Sequence, residues 1–244
     1  MFGQKKGCPL RSKLENTEGV YFCCNFVFLT IKIAYRMKLI NDTDVLLDAF
    51  GLTKTIASDT INSWMTSTGT LSDIETYLLD TIHAKSMYHV SGWNEEEVKM
   101  KLISMLFFIA DIEVESKLNT FFERELAANI NGKELSVVCD CLVATPLGFS
   151  TPRAPYFFLQ EFKRRKKSSN DPEGQMLAAM LIAQHKNNDN KPIYGAWLTG
   201  SIWEFAILEG TTLHSSNAFN TVQKNDTRQI VFILRKLKEL ILNR

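Results

Sequence analysis

Two apolar segments rich in β-branched and aromatic residues lie on either side of a turn-rich stretch in the second half of the chain. The first, ELSVVCDCLVAT, covers residues 134–145, and the second, YFFLQEFK, covers residues 156–163. The intervening PLGFSTPRAP is rich in the residue types that favour turns. Two such segments predict a hairpin with a long loop. This pairing constrains the fold more than any other feature of the sequence.

The second segment of the hairpin ends in charged residues, which is unusual for so apolar a strand. Side chains alternate between the two faces of a strand, so Glu161 and Lys163 share one face. If the loop is centred near residue 151, the position opposite Glu161 is residue 140 or 141, and residue 140 is Asp140. A lone ExK on a strand is common and usually structural. The functional interpretation therefore depends on the position of Asp140 opposite Glu161 in the predicted hairpin.

The chemistry of this group follows from the repulsion between its carboxylates. When two carboxylates are in contact, one of them tends to keep its proton. A divalent cation relieves this repulsion, and carboxylate oxygens are ligands that Mg²⁺ prefers, with Mn²⁺ as a substitute. A lysine beside such an ion is placed to act on an attacking water. The group indicates metal-assisted hydrolysis of a phosphodiester bond.

Further strands and helices are predicted after the hairpin. Asp171 as a cap and Pro172 at the first helical position begin a helix that extends to about residue 186. KPIYGAWLTG and IWEFAILEG predict two strands around Gly200, and Asp226 caps a final helix with one apolar stripe. The order predicts a mixed α/β fold, in which helices cover a mixed sheet.

The first half of the chain predicts mainly helices. Gly51 ends a short helix, and helical patterns follow at 60–65 and 71–82. Asn94 begins a helix with three glutamates in its first turn. The spacing of apolar residues extends this helix to about Ala128, with a break near 111–115.

The amino-terminal end of the chain allows three interpretations. The apolar run at 20–35 is too short and too interrupted for a membrane helix, which needs about 20 apolar residues. A signal peptide is the second interpretation, although no clean cleavage site follows. In the third, translation begins at Met37. The remaining chain divides into a helical region at 37–112 and a core at 113–244.

Composition and short motifs exclude several classes of protein. The net charge is +1, so any basic surface for nucleic acid must be local. The five cysteines form no CxxC pair, which argues against a disulfide framework or zinc site and favours a reducing, cytoplasmic compartment. Cys139 and Cys141 are expected to be small buried apolar residues. HExxH, Walker A and GxGxxG patterns are absent from the sequence, and no membrane partner is expected.

Asp140, then Glu161-Phe162-Lys163, then a helix with Gln175, resembles the motif of the PD-(D/E)XK nuclease superfamily, which has the restriction-endonuclease-like fold. The order, spacing and helical glutamine agree together, although the motif is short. The sequence is also similar to a segment of uncharacterised bacterial members in three short pieces: Tyr194-Gly195, Thr199-Gly200 and Trp203-Glu204-Phe205.

The resemblance covers roughly residues 113–244 and implies an α-β-β-β-α-β core. It implies that Asp140, Glu161 and the backbone carbonyl of Phe162 bind Mg²⁺, with Mn²⁺ as a substitute. It also implies that Lys163 acts on the nucleophile.

Two further positions are candidates for the site. Gln175 heads an apolar stripe and would either satisfy a backbone carbonyl or orient the lysine, the water or a phosphate. Many members carry a metal-directed Glu on the first core helix. Glu115 is preferred over Glu123 and Glu125, because it comes just before the helix expected to pack on the sheet; a solvated glutamate is the alternative for each. The one departure from the family pattern is Cys139, where a Pro often precedes the Asp.

The basic residues Arg164, Arg165, Lys166 and Lys167 follow the proposed active strand. They are either solvated loop charges or contacts to nucleic-acid phosphates. The sequence contains no recognised sequence-reading module, so weak specificity, or targeting by a protein partner or through a homodimer, is expected. The prediction is a nuclease acting on DNA, with RNA left open. The alternative is a catalytically inactive protein of this fold that binds nucleic acid or a partner protein, as a defence or toxin-type component.

Overall fold

The structure is a computed structural model and describes residues 37–38, 41–148, 150–163 and 171–244. Its strands are β1 (Met37–Lys38), β2 (Thr53–Ile56), β3 (Asn119–Ile130), β4 (Lys133–Leu147), β5 (Thr151–Lys163), β6 (Ile193–Thr199), β7 (Ile202–Glu209), β8 (Thr212–Ser215) and β9 (Phe219–Asn220). Its helices are α1 (Thr43–Phe50), α2 (Asp59–Met65), α3 (Asp73–His89), α4 (Glu95–Val98), α5 (Ser104–Ala110), α6 (Pro172–Asn187) and α7 (Lys224–Leu242). A π-helical segment (Lys99–Ile103) joins α4 to α5.

The predicted hairpin lies inside the sheet as the antiparallel pair β4–β5. β-branched and aromatic side chains favour the pleated backbone of both strands. Pairing continues further toward the loop than expected, as far as Leu147 opposite Thr151. Much of the stretch predicted as a connection is therefore strand.

Residues 119–130 form the strand β3, so the prediction of a helix extending to about Ala128 was wrong. β3 pairs antiparallel with β4 along almost its whole length. Asn131 and Gly132 join the two strands with φ of 54° and 83°, the left-handed conformation that a two-residue hairpin turn of the Asn-Gly kind adopts. The strand contains good helix formers such as Glu, Arg and Ala, and pairing with β4 overrides this local preference.

In the described part of the chain, nine strands form one mixed sheet with the order β1-β4-β5-β6-β7-β8-β2, while β3 pairs with β4 and β9 with β7. β5 and β6 are parallel, and α6 connects them. β6 and β7 are antiparallel and meet at the predicted turn around Gly200. These features confirm the mixed α/β class.

Helices cover both faces of the sheet. One face packs against α2, α3, α5 and α7 through a cluster that includes Trp64, Leu106 and Leu234. The other face packs against α1 and α6. A Cβ at Gly195 of β6 would lie 2.7 Å from the sulfur of Met180 in α6, so this glycine lets the helix approach the sheet closely.

The start of α6 is hydrogen-bonded to the start of α1. Asp171 occupies the cap position, as predicted, but its Oδ2 accepts hydrogen bonds from the Thr43 backbone N–H at 2.8 Å and the Thr43 hydroxyl at 2.7 Å. A Cβ at Gly174 would lie 2.6 Å from the carbonyl oxygen of Asn41. These contacts hold the start of α6 against the start of α1.

The described residues form one compact unit, and the division into a helical region at 37–112 and a core at 113–244 stays a prediction. β2, from the first half of the chain, pairs with β8 from the second half. The predictions for residues 1–36 lie outside the described residues. Across the described ranges, no helix combines the length and the apolar character needed to span a bilayer.

Candidate active site

Asp140 on β4 and Glu161 on β5 lie side by side. Cys141 pairs with Gln160 in the ladder, so Asp140 and Glu161 occupy the next position of each strand. The backbone N–H of Phe162 donates a hydrogen bond of 2.7 Å to Asp140 Oδ2. Asp140 is 7% exposed and Glu161 is 2% exposed. The sequence prediction that these carboxyl groups meet is confirmed.

Irregularities in the hairpin produce this register. The pairing is interrupted between Val143 and Ala144 and again between Ala144 and Thr145. The two interruptions shift β5 by three residues relative to the pairing at the loop end. Bulges of this kind commonly redirect side chains near functional sites. Here they bring Glu161 opposite Asp140.

Lys163 completes the predicted group. Its Nζ lies 2.7 Å from Glu161 Oε1 and 4.0 Å from Asp140 Oδ2. A third carboxylate, Glu95 in the first turn of α4, has its Oε2 3.9 Å from the same Nζ. The sequence indicated Glu95 only as a residue that suits a helix N-terminus, so its place beside Lys163 was missed.

A second ammonium, that of Lys99, lies on the other side of Asp140. Its Nζ is 3.3 Å from Asp140 Oδ1 and 2.9 Å from Glu96 Oε1, and it also contacts Glu123 Oε1. Lys99 is 6% exposed and is the first residue of the π-helical segment. No local pattern indicated this contact, because a lysine in the run EEEVKMK is typical of a solvated helix face.

Burial changes the protonation of the carboxyl pair. Burial, with the neighbouring Asp140, raises the pKa of Glu161 to about 8, although Lys163 opposes this change. Burial also raises the pKa of Asp140, while the Phe162 N–H and the two nearby ammonium groups, Lys163 and Lys99, oppose that rise. Near neutral pH, Glu161 therefore keeps its proton, as expected for two carboxyl groups in contact.

The two lysines remain charged in spite of their burial. Burial lowers the pKa of Lys163, but Glu161, Asp140 and Glu95 together raise it above its ordinary value. The pKa of Lys99 is raised in the same way. Burial lowers this pKa, but the neighbouring carboxylates raise it by more. The site therefore combines two permanent positive charges with a carboxyl pair that can lose a proton.

The other predicted residues have different positions. Gln175 lies half-buried in the first turn of α6, where its backbone N–H donates to the carbonyl of Asp171 at 3.0 Å. Among the described contacts, no hydrogen bond joins its side chain to Asp140, Glu161 or Lys163. The predicted nucleic-acid-binding residues, at 164–167, lie outside the described residues.

The three glutamate candidates of the expected first core helix lie outside any helix. Glu115 is exposed in a turn, and Glu125 is exposed on β3. Glu123, also on β3, is the one of the three that contacts the site, through Lys99. The preference for Glu115 rested on a helix that does not form here.

Cys139 and Cys141 match the expectation of small buried residues. Both are free thiols and at most 1% exposed. Burial raises the pKa of both thiols. The thiol of Cys139 donates to the carbonyl oxygen of Cys141 at 3.0 Å. Neither is activated as a nucleophile, because a reactive cysteine needs a lowered pKa.

The donor set fits a hard divalent cation. Within the described ranges, no group of three or more His, Cys, Asp and Glu side chains is arranged to hold a metal ion. Mg²⁺, however, usually keeps several waters and takes only one or two carboxylates from the protein. The pair formed by Asp140 and Glu161, with the carbonyl of Phe162, is sufficient for such an ion, which would replace the proton on Glu161.

Fold and site define a mixed α/β protein with a buried acid–lysine centre on two adjacent strands. Comparison of the sequence with known protein families and with curated proteins finds no match to either.

Proposed function

We propose that the protein is a divalent-metal-dependent nuclease of the PD-(D/E)XK type that hydrolyses phosphodiester bonds in DNA. The observation that carries the proposal is the buried pair of Asp140 and Glu161 on adjacent strands, with Lys163 Nζ 2.7 Å from Glu161. The order α5-β3-β4-β5-α6-β6 supports it, because it is the α-β-β-β-α-β order that the sequence resemblance implies. The first helix of that order comes earlier in the chain than expected.

Each residue of the site has a role in the proposed reaction. Asp140, Glu161 and the backbone carbonyl of Phe162 would hold Mg²⁺. A bound ion supplies a water of lowered pKa and offsets charge on the phosphate. The N–H of Phe162 fixes the orientation of Asp140. Lys163, held between Glu161 and Glu95, is placed to donate to the attacking water or to the charge that develops on the phosphate.

The basic residues at 164–167 support nucleic acid as the substrate, because they directly follow Lys163 in the chain. Each phosphate contact that is lost reduces the slope of log affinity against log salt by roughly 0.9 on duplex DNA. Replacing all four by Ser should therefore weaken DNA binding and flatten its salt dependence. An unchanged slope would mean that these residues are solvated charges.

The central experiment is cleavage of plasmid, linear duplex, single-stranded DNA and RNA in Mg²⁺, Mn²⁺, Ca²⁺ or chelator. Cleavage of DNA in Mg²⁺ or Mn²⁺, absent with chelator and lost in Lys163→Met, is expected. Lys101→Met is the matched control, since Lys101 is half-exposed and pairs with Glu97 at 2.6 Å on the helix surface. If the wild-type chain binds nucleic acid in Ca²⁺ but cleaves none of these substrates, it is a binding protein and not a nuclease.

A further inference from the structure

A cleft of about 370 Å³ lies beside the candidate active site, between the first turn of α6 and the last residues of β2, β6 and β8. Its volume is in the range of pockets that bind small organic groups. Trp197 of β6 lines the cleft and pairs with Glu161 of β5. Thr199 lines it as well and pairs with Lys163. Paired residues on neighbouring strands lie about 5 Å apart on one face of the sheet. The cleft therefore continues the active site across the sheet.

The charges that line the cleft do not suit a phosphate group. Asp171, Glu173 and Glu204 contribute three carboxylates. Lys54 contributes the one ammonium among the described lining residues, and its Nζ is paired with Glu173 Oε1 at 2.5 Å. An anion in the cleft would face like charges, which costs free energy. We therefore expect the phosphate of a substrate to stay outside the cleft, beside Lys163.

Other parts of the lining are apolar and include one unused hydroxyl group. Ile56, Trp197 and Ile202 supply the apolar surface. Ser215 is 3% exposed, and its Oγ has no hydrogen-bond partner within the described ranges. Ser215 pairs with Ala206, which packs on the α6 side of the sheet, so its side chain points to the same side as the cleft. A buried polar group without a partner is costly, and a ligand at the bottom of the cleft would satisfy it.

A nucleobase has the properties that this lining requires. It is uncharged, its flat faces pack against apolar side chains, and its edge carries hydrogen-bond donors and acceptors. A serine hydroxyl can donate to such an edge or accept from it. A base enters a side pocket only after it leaves its stack, and the cost of this step is least for a strand that is already single.

We propose that the cleft binds one unpaired nucleobase of the DNA strand whose phosphate lies at Asp140, Glu161 and Lys163. The inference rests on the proposed function, because that function places a DNA phosphate beside the cleft. Apolar side chains such as Ile202 contact the base, and the hydroxyl of Ser215 hydrogen-bonds to its edge. The preferred substrate is therefore single-stranded DNA, or duplex DNA with an unpaired base near the cut.

The test uses end-labelled, single-stranded oligonucleotides in which one nucleotide is abasic. An abasic nucleotide keeps its phosphate, so the electrostatic part of DNA binding is preserved. In Mg²⁺, the wild-type protein should cut about 10-fold less at one fixed distance from the abasic nucleotide, which is the scale of one bound base. Cuts at other distances should not change.

Two matched variants show whether the cleft causes this effect. Ser215→Val fills the bottom of the cleft and removes the hydroxyl, so it should cut intact DNA about 10-fold more slowly and no longer respond to the abasic nucleotide. Ser86→Val is the control, because Ser86 in α3 is 0% exposed and its Oγ also lacks a partner within the described ranges. It should behave like the wild type. If Ser215→Val does not fold, Ser215→Ala should reduce the response about threefold, the scale of one neutral hydrogen bond.

A second measurement does not depend on cleavage. In Ca²⁺, the wild-type protein should bind a short intact oligonucleotide about 10-fold more tightly than a fully abasic one of equal length. Ser215→Val should bind both alike.

The outcomes separate this inference from the proposed function. Cleavage that is insensitive to the abasic nucleotide at every distance, or a response that is unchanged in Ser215→Val, overturns the base-binding cleft and leaves the proposed nuclease standing. Absence of cleavage, together with the expected difference in binding, overturns the nuclease and retains the cleft. Equal binding of both oligonucleotides by the wild type overturns the cleft.

Discussion

Charged side chains form two contrasting regions in this molecule. Between α3 and α7, Lys224 pairs with Asp80 at 2.8 Å and Arg235 with Glu75 at 2.5 Å, and these side chains are between 27% and 52% exposed. Water solvates each ion of such pairs, so they contribute little to stability. At the candidate active site the same residue types are buried between strands, and burial with the neighbouring carboxyl raises the pKa of Glu161 to about 8.

The difference in burial between the two regions implies a difference in the energetic cost of their charges. Surface pairs can be removed at small cost, whereas buried ions carry a desolvation penalty that often exceeds the energy of their mutual attraction. Stability alone therefore does not account for Asp140, Glu161, Lys163 and Lys99 meeting in one place. The proposed nuclease chemistry would account for it. If the proposal is right, mutations at the candidate site should abolish activity, whereas mutations of the surface pairs should change stability only slightly.

The largest expected effect is that of Lys163→Met on cleavage. The rate of DNA cleavage should fall by about 10²–10⁴-fold, the usual contribution of a positioned acid–base or electrostatic group. Stability near pH 7 should change little, because Glu161 can stay neutral when its cation is gone. The measurements are single-turnover cleavage at saturating Mg²⁺ and urea unfolding. Lys224→Met should cleave like the wild type. Equal rates for both variants would contradict the role of Lys163.

The next effect is the dependence of stability on pH in the metal-free protein. The folded-state pKa of Glu161 is about 8, raised from 4.5. The folded protein therefore holds more protons than the unfolded chain between these values. The stabilisation is complete below about pH 4.5, decreases as pH rises and is lost above about pH 8. Its size is on the order of a few kcal/mol, since one pKa unit corresponds to about 1.4 kcal/mol.

Urea unfolding in chelator between pH 5 and about pH 9 measures this contribution. Glu161→Gln should lack it, because an amide does not titrate. Glu75→Gln is the control from the surface region and should retain it. A wild-type protein whose stability is flat across the range, or identical to that of Glu161→Gln, would contradict the buried, protonated state of Glu161.

A smaller effect is expected on metal affinity. Below about pH 8, a divalent ion must displace the proton of Glu161, so the apparent Mn²⁺ affinity should rise by up to about tenfold per pH unit and then level off. Calorimetry in two buffers of different ionisation enthalpy should show the release of about one proton per ion at pH 7. Affinity that does not vary between pH 6 and pH 8 would place the ion elsewhere.

The smallest effect belongs to the surface region. Lys224→Ala removes the pair with Asp80 and should lower the free energy of unfolding by about 0.2–1 kcal/mol, less at high salt. Cleavage should not change. Chemical denaturation at low and high salt checks both the size and the screening. A loss as large as that expected from the titration of Glu161 would remove the contrast between the two regions.

The parts of the fold and site that the sequence predicted are those set by local patterns. The hairpin, α6, the turn between β6 and β7 and the apolar stripe of α7 follow from short-range periodicity and turn residues. Asp140 and Glu161 could be paired because their strands are neighbours in the chain. The sequence predicted the register of these strands from a longer loop than the structure has. The two bulges between Val143 and Thr145 shift one strand relative to the other, and this shift compensates for the error in the predicted loop length.

The parts that were missed depend on tertiary contacts. β3 contains strong helix formers, and only its pairing with β4 makes it a strand; the Asn131-Gly132 turn was the local signal for it. Glu95 and Lys99 come from a helix distant in sequence from the hairpin. Nothing in their local pattern distinguishes them from solvated residues such as Lys101.

The π-helical segment has a consequence for changes in chain length. Each residue of a regular helix turns the backbone by about 100°, and a π-turn is equivalent to one inserted residue. Deleting a single residue from Lys99–Ile103 would restore a regular helix and rotate α4 by about this angle relative to α5. The apolar face of α5 would stay against the sheet, while Glu95 would turn away from Lys163. In this segment, insertions and deletions therefore matter more to the site than most substitutions.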